Sequence, residues 1–549
     1  MLSPFECLYR NFILPEICKP CLFYLLFNLR NLLYLIIGLR LYIDVDNYQL
    51  AMVTSGILGE NNYCRYISWL LCVGIAGLNQ LSQQVDWFSF ICRALTIVSI
   101  FSLGAVVNKA KGKWSWIVGY IVIFSVAFPY IMSQNYTLVT AFVIGTGIIL
   151  LMLSLWGYVN GPIWNVSGTV LIFAALLLRM NGAILFFPFM ILEILQYCYR
   201  NFGKAKIVNL MKKIVPVLLC FIIIVASDML VQSSEKYSAS MRYDLARISI
   251  LDFPVKPYSD ISDQVPQLSE NDYNMILGWN LLDTELINSE LMEQIAENGA
   301  RKIPLQQAFE TIKQQFLAVG GLSALTSVLM LWAFLNAQWD GKLKILCSIG
   351  GAGIIAMYFA IKGRFIDRVA IPLLLCLIVM ATLTILLSKG HEMRSSFFVG
   401  VLCVLFIIRL TDLPIDTWDI QLAINAKQGV ETGTMEETNQ DVFFQPTWMY
   451  YSAEGRMIQG KLPTKEFLKH NMSMGDWSYG QVYFYEHLLE MGIENPMRDL
   501  IERPDTYVVD QNVDQILTYL REHYDQNVQA ITVGEKNGLP VWKFESVVQ

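Results

Sequence analysis

Residues 136–156 read YTLVTAFVIGTGIILLMLSLW, and this apolar run decides the class of the fold. It is the middle part of a longer stretch, Trp114 to Leu178, that contains no Asp, Glu, Lys or Arg. A membrane helix needs about 20 apolar residues, so a stretch of about 65 residues predicts three spans. Polar breaks at Ser133–Asn135 and Gly157–Pro162 separate them. We therefore expect a multi-pass membrane protein.

The composition of the whole chain agrees with this class. Of 549 residues, 55% are hydrophobic and 16% are charged, whereas ordinary soluble domains carry about 25% charged residues. The net charge of -6 argues against nucleic acid as a partner, because phosphate backbones bind basic surfaces. The pair Cys18 and Cys21 has no further ligand nearby and does not predict a metal site. The four histidines show no metal-ligand spacing and are interpreted as surface residues.

Eight further apolar runs predict eight more spans. They lie near residues 21–43, 86–107, 182–199, 214–232, 316–336, 343–361, 369–388 and 396–411. Short loops rich in Lys and Arg mark the cytoplasmic side of a membrane. The basic loops are Lys109/Lys111/Lys113, Arg200/Lys204/Lys206/Lys212/Lys213, Lys342/Lys344 and Lys389/Arg394. They share one side only if residues 65–83 do not cross, which predicts an interfacial or re-entrant helix there.

The predicted fold is thus an α-helical polytopic membrane protein with about eleven transmembrane helices and a cytoplasmic N-terminus. Residues 1–411 form the transmembrane domain, which carries an outer loop at 44–85 and an acidic outer insert at 233–315. Within the insert, the spacing of apolar residues suggests a short amphipathic helix on the membrane face. The residues that carry this pattern are Leu281, Ile287, Leu291 and Ile295.

Residues 412–549 have the mixed composition of a water-soluble domain and are expected to form an extracytoplasmic α/β domain. Thr506–Asp510 is strand-like. Asn512 and Gln515 have the spacing of a capping box at the start of a helix. Asn537-Gly538 between two alternating runs predicts a hairpin turn.

The first outer loop begins with two carboxylates, in the stretch Tyr42-Ile-Asp-Val-Asp-Asn-Tyr-Gln-Leu-Ala51. In extended backbone, residues i and i+2 project to the same face. Asp44 and Asp46 then act together on one metal ion or one hydroxyl. In a structural interpretation, Asp46 is the N-cap of a helix over 47–57, and Gln49 completes a capping box. The two interpretations are not exclusive.

Several basic residues lie on the outer side against the charge rule: Arg179, Lys362, Arg364 and Arg368. Guanidinium groups bind phosphate in a bidentate manner, so such a cluster at headgroup depth suits a lipid phosphate. The alternative is that these side chains extend to ordinary lipid headgroups. Arg93 lies about 10 Å into the span at 86–107, and Asp86 is its nearest candidate partner.

This arrangement resembles the C-type (GT-C) membrane glycosyltransferases, which depend on polyprenyl-phosphate-linked sugars, and is nearest to bacterial envelope members. The resemblance lies in Asp44-Val-Asp46 after the first span, the outer helical loop, and Asp86 to Arg93 at the start of the next span. Gly363 to Arg368 before a late span and the extracytoplasmic C-terminal domain extend it.

The resemblance implies that a sugar moves from a polyprenyl-phosphate donor to an envelope glycan or protein on the outer face. Asp44 or Asp46 would act as base on the acceptor hydroxyl. Arg364 and Arg368 would bind the lipid phosphate, with Arg179 as a further candidate and Arg93 as a binding or supporting residue. No cofactor is expected other than a divalent metal at Asp44 and Asp46.

Other classes of membrane protein stay open on the sequence alone. A transporter or flippase also suits eleven spans, although transporters commonly have polar or broken helices near the midplane, and the stretch 114–178 has no charge. An oligosaccharide polymerase or ligase, or a scaffold without catalysis, would instead work through the large outer insert.

Overall fold

The computed structural model describes residues 45–59, 63–82, 85–109, 135–201, 203–388, 440–452 and 462–547, with isolated positions between 119 and 126 and between 401 and 438. These residues form mostly α-helices, with one small β-sheet near the C-terminus. The boundary predicted at residue 411 lies outside the described residues, as do the predicted span at 21–43, most of the one at 396–411, and the Cys18–Cys21 pair.

The described helices before the sheet are α1 (Val45–Ser55), α2 (Trp69–Leu81), α3 (Trp87–Val107), α4 (Tyr136–Leu155), α5 (Pro162–Ile184), α6 (Phe187–Arg200), α7 (Lys204–Gln232), α8 (Glu235–Leu251), α9 (Glu270–Leu277), α10 (Ser289–Gly299), α11 (Leu305–Ala318), α12 (Gly320–Asn336), α13 (Trp339–Ile361) and α14 (Asp367–Leu387). The elements that follow are β1 (Val442–Gln445), α15 (Thr447–Ser452), α16 (Lys465–His470), β2 (Asn471–Ser473), α17 (Val482–Glu490), α18 (Pro496–Glu502), β3 (Thr506–Val509), α19 (Asp514–His523), β4 (Val528–Lys536) and β5 (Leu539–Ser546).

Six helices of the described part are long and apolar enough to cross a membrane: α3, α4, α5, residues Lys206–Gln232 of α7, α13 and α14. The chain is therefore an integral membrane protein, as predicted. Helices α11 and α12 make a seventh span if they are counted as one broken helix, since they meet at an angle of 93°.

Helix α4, the run that decided the fold class, is the centre of the bundle. All of its residues are buried. Gly147 of α4 faces Gly168 of α5, and a Cβ atom on either would lie 2.9 Å from the carbonyl oxygen of the other. Small residues at such crossings let membrane helices approach closely, so α4 and α5 pack backbone against backbone.

The span predicted near 182–199 is divided between the last residues of α5 and the short helix α6. Arg179 interrupts α5 with extended backbone (φ −161°, ψ 93°), and α6 has only 14 residues, fewer than the roughly 20 of a regular span. Gly182 nevertheless lies near Thr140 at the start of α4, while Arg200 at the end of α6 pairs with Asp340 at the start of α13. The segment thus connects the two ends of the bundle.

The described basic loops share one end of the bundle, as the charge rule predicted. Lys213 donates to the Ser154 hydroxyl at 2.8 Å, and Lys109 lies 4.7 Å from the ring centroid of Trp164. Lys344 reaches Glu193 of α6. These contacts join the ends of α3, α4, α5, α6, α7 and α13, which we call the basic end.

Helix α2 is too short to cross a membrane, in agreement with the interfacial helix predicted at 65–83. Its 13 residues extend about 20 Å, against about 30 Å of hydrocarbon. Before it, the Ser68 N–H donates to the Leu177 carbonyl at 2.9 Å. Near its end, Asn79 donates to the Thr54 carbonyl at 2.8 Å.

The amphipathic helix predicted in the insert is present only in part, as α10, because Leu281 and Ile287 lie before the helix. Its predicted membrane contact is wrong. Leu291 and Ile295 are buried, and α10 packs on α8 of the same insert. The apolar stripe is therefore explained by contact between two helices of the insert.

The C-terminal domain contains a five-stranded sheet of order β2-β1-β3-β5-β4. Strand β1 is parallel to β2 and β3, and β5 is antiparallel to β3 and β4. The predicted strand and the predicted hairpin are confirmed, and the turn residues Asn537 and Gly538 have φ values of 52° and 81°. The predicted capping box is wrong, because Val513 is the N-cap of α19.

Buried polar contacts join the insert to the C-terminal domain. The carboxylate of Asp283, which is 2% exposed, accepts hydrogen bonds from Tyr519 (2.9 Å), Tyr524 (2.6 Å) and Asn495 (3.1 Å). The two regions are more than 200 residues apart in sequence and form one packed unit.

Candidate functional site

Asp46 lies in the first turn of α1, at the end of the bundle opposite the basic end. Helix α1 begins at Val45, so Asp46 is inside the helix and the predicted N-cap role is wrong. A carboxylate in the first turn is favourable because the N-terminus of a helix is partly positive. The Asn47 side chain accepts from the Tyr136 N–H at 2.9 Å, which places the start of α1 beside the start of α4. Asp44 lies outside the described residues.

Asp46 contacts Arg368, in the first turn of α14. Arg368 donates from Nη1 to Oδ2 of Asp46. The two side chains are 38% and 22% exposed, so the pair is open to a ligand. This contact brings together two site residues that are more than 300 positions apart in sequence.

Arg179 is held next to this pair by the first turn of α4. It donates from Nη1 to the hydroxyl groups of Tyr136 and Thr137, at 2.8 Å for Thr137. Its guanidinium carbon also lies 4.8 Å from the ring centroid of Tyr136. The break in α5 at Arg179 therefore coincides with a side chain that is fixed at the site.

Arg364 lies in the short loop between α13 and α14. Its Nη1 is 2.7 Å from Oδ2 of Asp252 and donates to the Asp252 carbonyl at 3.0 Å. Gly363 precedes it with φ +76°, and a Cβ atom there would lie 2.3 Å from Cγ of Pro254. Only glycine therefore allows the loop to approach the insert this closely.

The charges of the three arginines act on one another. Burial, followed by the positive charges of Arg179 and Arg368, lowers the pKa of Arg364 to about 10. Arg364 stays charged near neutral pH, so the site keeps concentrated positive charge. A phosphate group would relieve this repulsion, because it accepts several charge-assisted hydrogen bonds.

A second layer of charge, which the sequence interpretation missed, lies behind these residues. Asp244 is fully buried and pairs with Arg65 at 3.1 Å and with Arg247. The Tyr66 hydroxyl donates to Oδ1 of Asp244 at 3.0 Å. Burial, together with Asp244, raises the pKa of Tyr66, so Tyr66 stays protonated. Arg247 also contributes to the lowered pKa of Arg364, which shows that the two layers are close.

The remaining residues that the sequence singled out are Arg93, Asp86 and Lys362. Arg93 lies on α3 with an exposed side chain. Asp86 is the N-cap of α3 and accepts from the Ser89 N–H at 3.0 Å. Lys362 is exposed at the end of α13. Arg93 therefore stays a predicted binding residue.

The comparisons with known proteins can now be set beside this geometry. No family model and no curated protein matches the chain. The chain is similar to ArnT from Cupriavidus metallidurans bound to undecaprenyl phosphate, with TM-score 0.34 and 10% identity over 93% of this chain and 97% of that one. For the apo state of the same protein, the TM-score is 0.36 and the identity 11%, over 95% and 97%. A likeness of this size assigns no activity, so the function must rest on the residues of the site.

Helix α1 also contacts the C-terminal domain. Gln49, the predicted partner in a capping box, instead donates from Nε2 to Oδ1 of Asp476 at 3.0 Å. The contact borders a cavity of about 20 Å³ that is also lined by Tyr450, Tyr483 and His487, which is room for about one water molecule. Helix α1 thus carries Asp46 in its first turn and bonds to the C-terminal domain through Gln49, one turn later.

His487 is buried, so the interpretation of the histidines as surface residues is wrong for this one. It should make the stability of this contact depend on pH. Burial lowers its pKa to about 4, against about 6.5 in an unfolded chain. The unfolded state therefore takes up the proton first, and stability that is present above pH 6.5 is lost as the pH falls toward 4. Between pH 7.5 and pH 5, we expect a loss of about 2 kcal/mol in the free energy of unfolding.

Denaturant unfolding of the detergent-solubilised protein at the two pH values measures this loss. His487→Leu should remove it, whereas His470→Gln, a change at another histidine of the same domain, should keep it. An equal pH dependence in the wild type and His487→Leu would assign the effect to other groups.

A larger cavity of about 340 Å³ lies at the basic end, lined by Trp156, Gln196, Arg200 and Lys344 among others. Its cations are already paired: Arg200 with Asp340, and Lys344 with Glu193. Arg364 and Arg368 are likewise paired with aspartates at the other end. There, however, the charges of three arginines act on one another, which distinguishes the two ends chemically.

Proposed function

We propose that the protein transfers a sugar from a polyprenyl-phosphate donor to an acceptor hydroxyl, at the end of the bundle that carries Asp46. The observation that carries this proposal is the contact of Asp46 with Arg368 beside Arg179 and Arg364. A proton acceptor and several phosphate-binding groups then occupy one site at the ends of apolar helices. A donor anchored in lipid presents its phosphate at this depth.

The orientation is part of the proposal. Because Lys and Arg concentrate on the cytoplasmic side, the basic end is taken as cytoplasmic and the Asp46 end as outer. The acceptor would then be a glycan or protein of the cell envelope. The insert and the C-terminal domain would be extracytoplasmic.

The proposed reaction has one displacement step. The acceptor oxygen attacks the anomeric carbon of the sugar, and the bond from that carbon to the phosphate oxygen breaks. The electron pair of that bond leaves with polyprenyl phosphate, whose added charge is stabilised by Arg364, Arg368 and Arg179. The hydroxyl proton moves to the carboxylate of Asp46.

The pairing of Asp46 with Arg368 gives this sequence of events an order. While Arg368 donates to the carboxylate, that oxygen is engaged and is not available to the acceptor hydroxyl. A donor phosphate competes for the same guanidinium group. Donor binding would therefore release the base only when a leaving group is in place.

Binding of a lipid phosphate is the first test. Purified protein in nanodiscs should bind a polyprenyl phosphate, but not the polyprenol of equal length. Arg364→Ala should weaken binding by about 10- to 100-fold, because a hydrogen bond to a charged group contributes about 1.5–3 kcal/mol. Native mass spectrometry or a competition assay measures both ligands.

Arg200→Ala is the matched control, because Arg200 is also paired with an aspartate but lies at the basic end. It should bind the lipid phosphate as the wild type does. Equal binding of polyprenol and polyprenyl phosphate would refute the phosphate site. Transbilayer movement of the lipid without any sugar transfer would favour a flippase.

A further inference from the structure

A second group of ligand-type side chains lies where the insert meets the C-terminal domain, and the proposed reaction does not use it. It consists of Asp272 on α9 and of Glu522 and His523 at the end of α19. One candidate ligand atom from each residue lies within 4.8 Å of the others. The two segments are 250 residues apart in sequence, and the histidine pattern of the sequence does not reveal the group.

The geometry of the group is close to that of a metal site. The Nε2 atom of His523 lies 2.8 Å from Oδ2 of Asp272. Glu522 is held from the insert side, because the Ser269 hydroxyl donates to its Oε2 at 2.7 Å. Ligands at about 2.0–2.2 Å from a tetrahedral ion are about 3.4 Å apart, so side-chain shifts on the order of 1 Å bring all three around one cation.

An independent observation also points to a ligand. Asp272 is 1% exposed, and among the described residues its Oδ1 atom has no hydrogen-bond partner. Its Oδ2 atom already accepts from the Ser269 N–H at 2.8 Å in the capping box of α9. A buried carboxylate oxygen without a partner is costly, and a cation on the same carboxylate would satisfy it.

We infer that Asp272, Glu522 and His523 bind a divalent ion of the zinc class, which joins the insert to the C-terminal domain. An imidazole with two carboxylates suits zinc and similar transition metals better than magnesium or calcium, which prefer oxygen ligands alone. The ion takes the place of the proton between Nε2 and the carboxylate, so the remaining ring proton is on Nδ1. Glu522 and His523 are exposed, which gives the ion a path to the site.

Zinc binding to the full-length protein tests the inference. Tag-free protein is stripped with a chelator in detergent and titrated with Zn²⁺ by calorimetry, with the bound metal counted by elemental analysis. We expect one tightly bound ion and a higher unfolding temperature of the zinc form. His523→Ala should weaken zinc binding by at least about tenfold, since even groups outside the ligand shell affect metal affinity by 10- to 100-fold.

His470→Ala is the control, because His470 also lies near a single carboxylate, Glu466, at 3.3 Å. It should leave the tight site unchanged, as should an excess of Mg²⁺. The unfolding temperature of metal-free His523→Ala shows whether the variant folds. Absence of a tight one-to-one site, or equal affinity in His523→Ala, would overturn the inference. Neither result affects the proposed transfer reaction, which does not depend on this ion.

Discussion

Asp46→Asn should lower the rate of sugar transfer by about 10²- to 10⁴-fold, which is the usual contribution of a positioned general base. The amide keeps the size of the side chain but cannot take up the proton of the acceptor hydroxyl. Release of polyprenyl phosphate from a labelled donor measures the rate in reconstituted vesicles. The prediction rests on the proposed reaction.

The same variant should bind lipid phosphate at least as tightly as the wild type. In the wild type, Asp46 accepts a hydrogen bond from the guanidinium group of Arg368. The neutral amide of the variant competes with the lipid phosphate for this group less strongly. Loss of turnover with retained or improved binding is the combination expected of a base. A structural role would instead lower both.

Asp367→Asn is the matched control. Asp367 is the neighbour of Arg368 in the first turn of α14 and is exposed. The substitution Asp367→Asn removes a negative charge beside Arg368 but leaves the proposed base, Asp46, in place. Equal losses of transfer in Asp46→Asn and Asp367→Asn would point to a general effect of charge and would refute the assignment of Asp46.

The transmembrane part could be predicted from sequence because its signal is local. An apolar run of sufficient length reports a span by itself, and the run at 136–156 corresponds to α4, Tyr136–Leu155. The basic loops likewise predicted which helix ends lie together. The hairpin at Asn537-Gly538 was also predictable, since the turn depends on only two residues.

Predictions failed where a distant partner outcompetes a local one. Gln49 has the spacing of a capping residue, yet its side chain bonds to Asp476, which is 427 positions away. The apolar stripe of α10 has the spacing of a membrane-surface helix, yet α8 covers it. Periodicity reports that a face is buried and does not report what covers it.

The site could be predicted only in part. The sequence indicated Asp46, Arg179, Arg364 and Arg368 because charges at helix exits are conspicuous. It gave no reason to single out Asp244, because the acidic insert contains many similar carboxylates, or its partners Arg247 and Tyr66. Their roles depend on burial, which only the folded chain provides. Outside the site, the sequence does contain a signal for the buried residue Glu193, because it is the sole charged residue between Arg179 and Arg200.

Glu193→Ala should have the largest effect on stability of the substitutions considered. Glu193 is 0% exposed, and it accepts from Trp156 Nε1 at 2.8 Å and from Lys344 at 2.5 Å. Removing one partner of a buried ion pair leaves the other charge uncompensated, which costs about 3–5 kcal/mol. Denaturant unfolding in mixed micelles, followed by tryptophan fluorescence, measures the loss.

Two comparisons separate this explanation from a simple loss of packing. The double variant Glu193→Leu with Lys344→Met should recover most of the stability, because an apolar pair of similar volume leaves no buried charge. Glu310→Ala removes an exposed pair with Lys313 on α11, where the side chains are 59% and 62% exposed, and should cost at most about 1 kcal/mol. If Glu193→Ala costs no more than Glu310→Ala, Lys344 has access to water at the basic end. If the double variant is as unstable as the single one, packing around Glu193 is the dominant contribution, and the ion pair is not what joins α6 to α13.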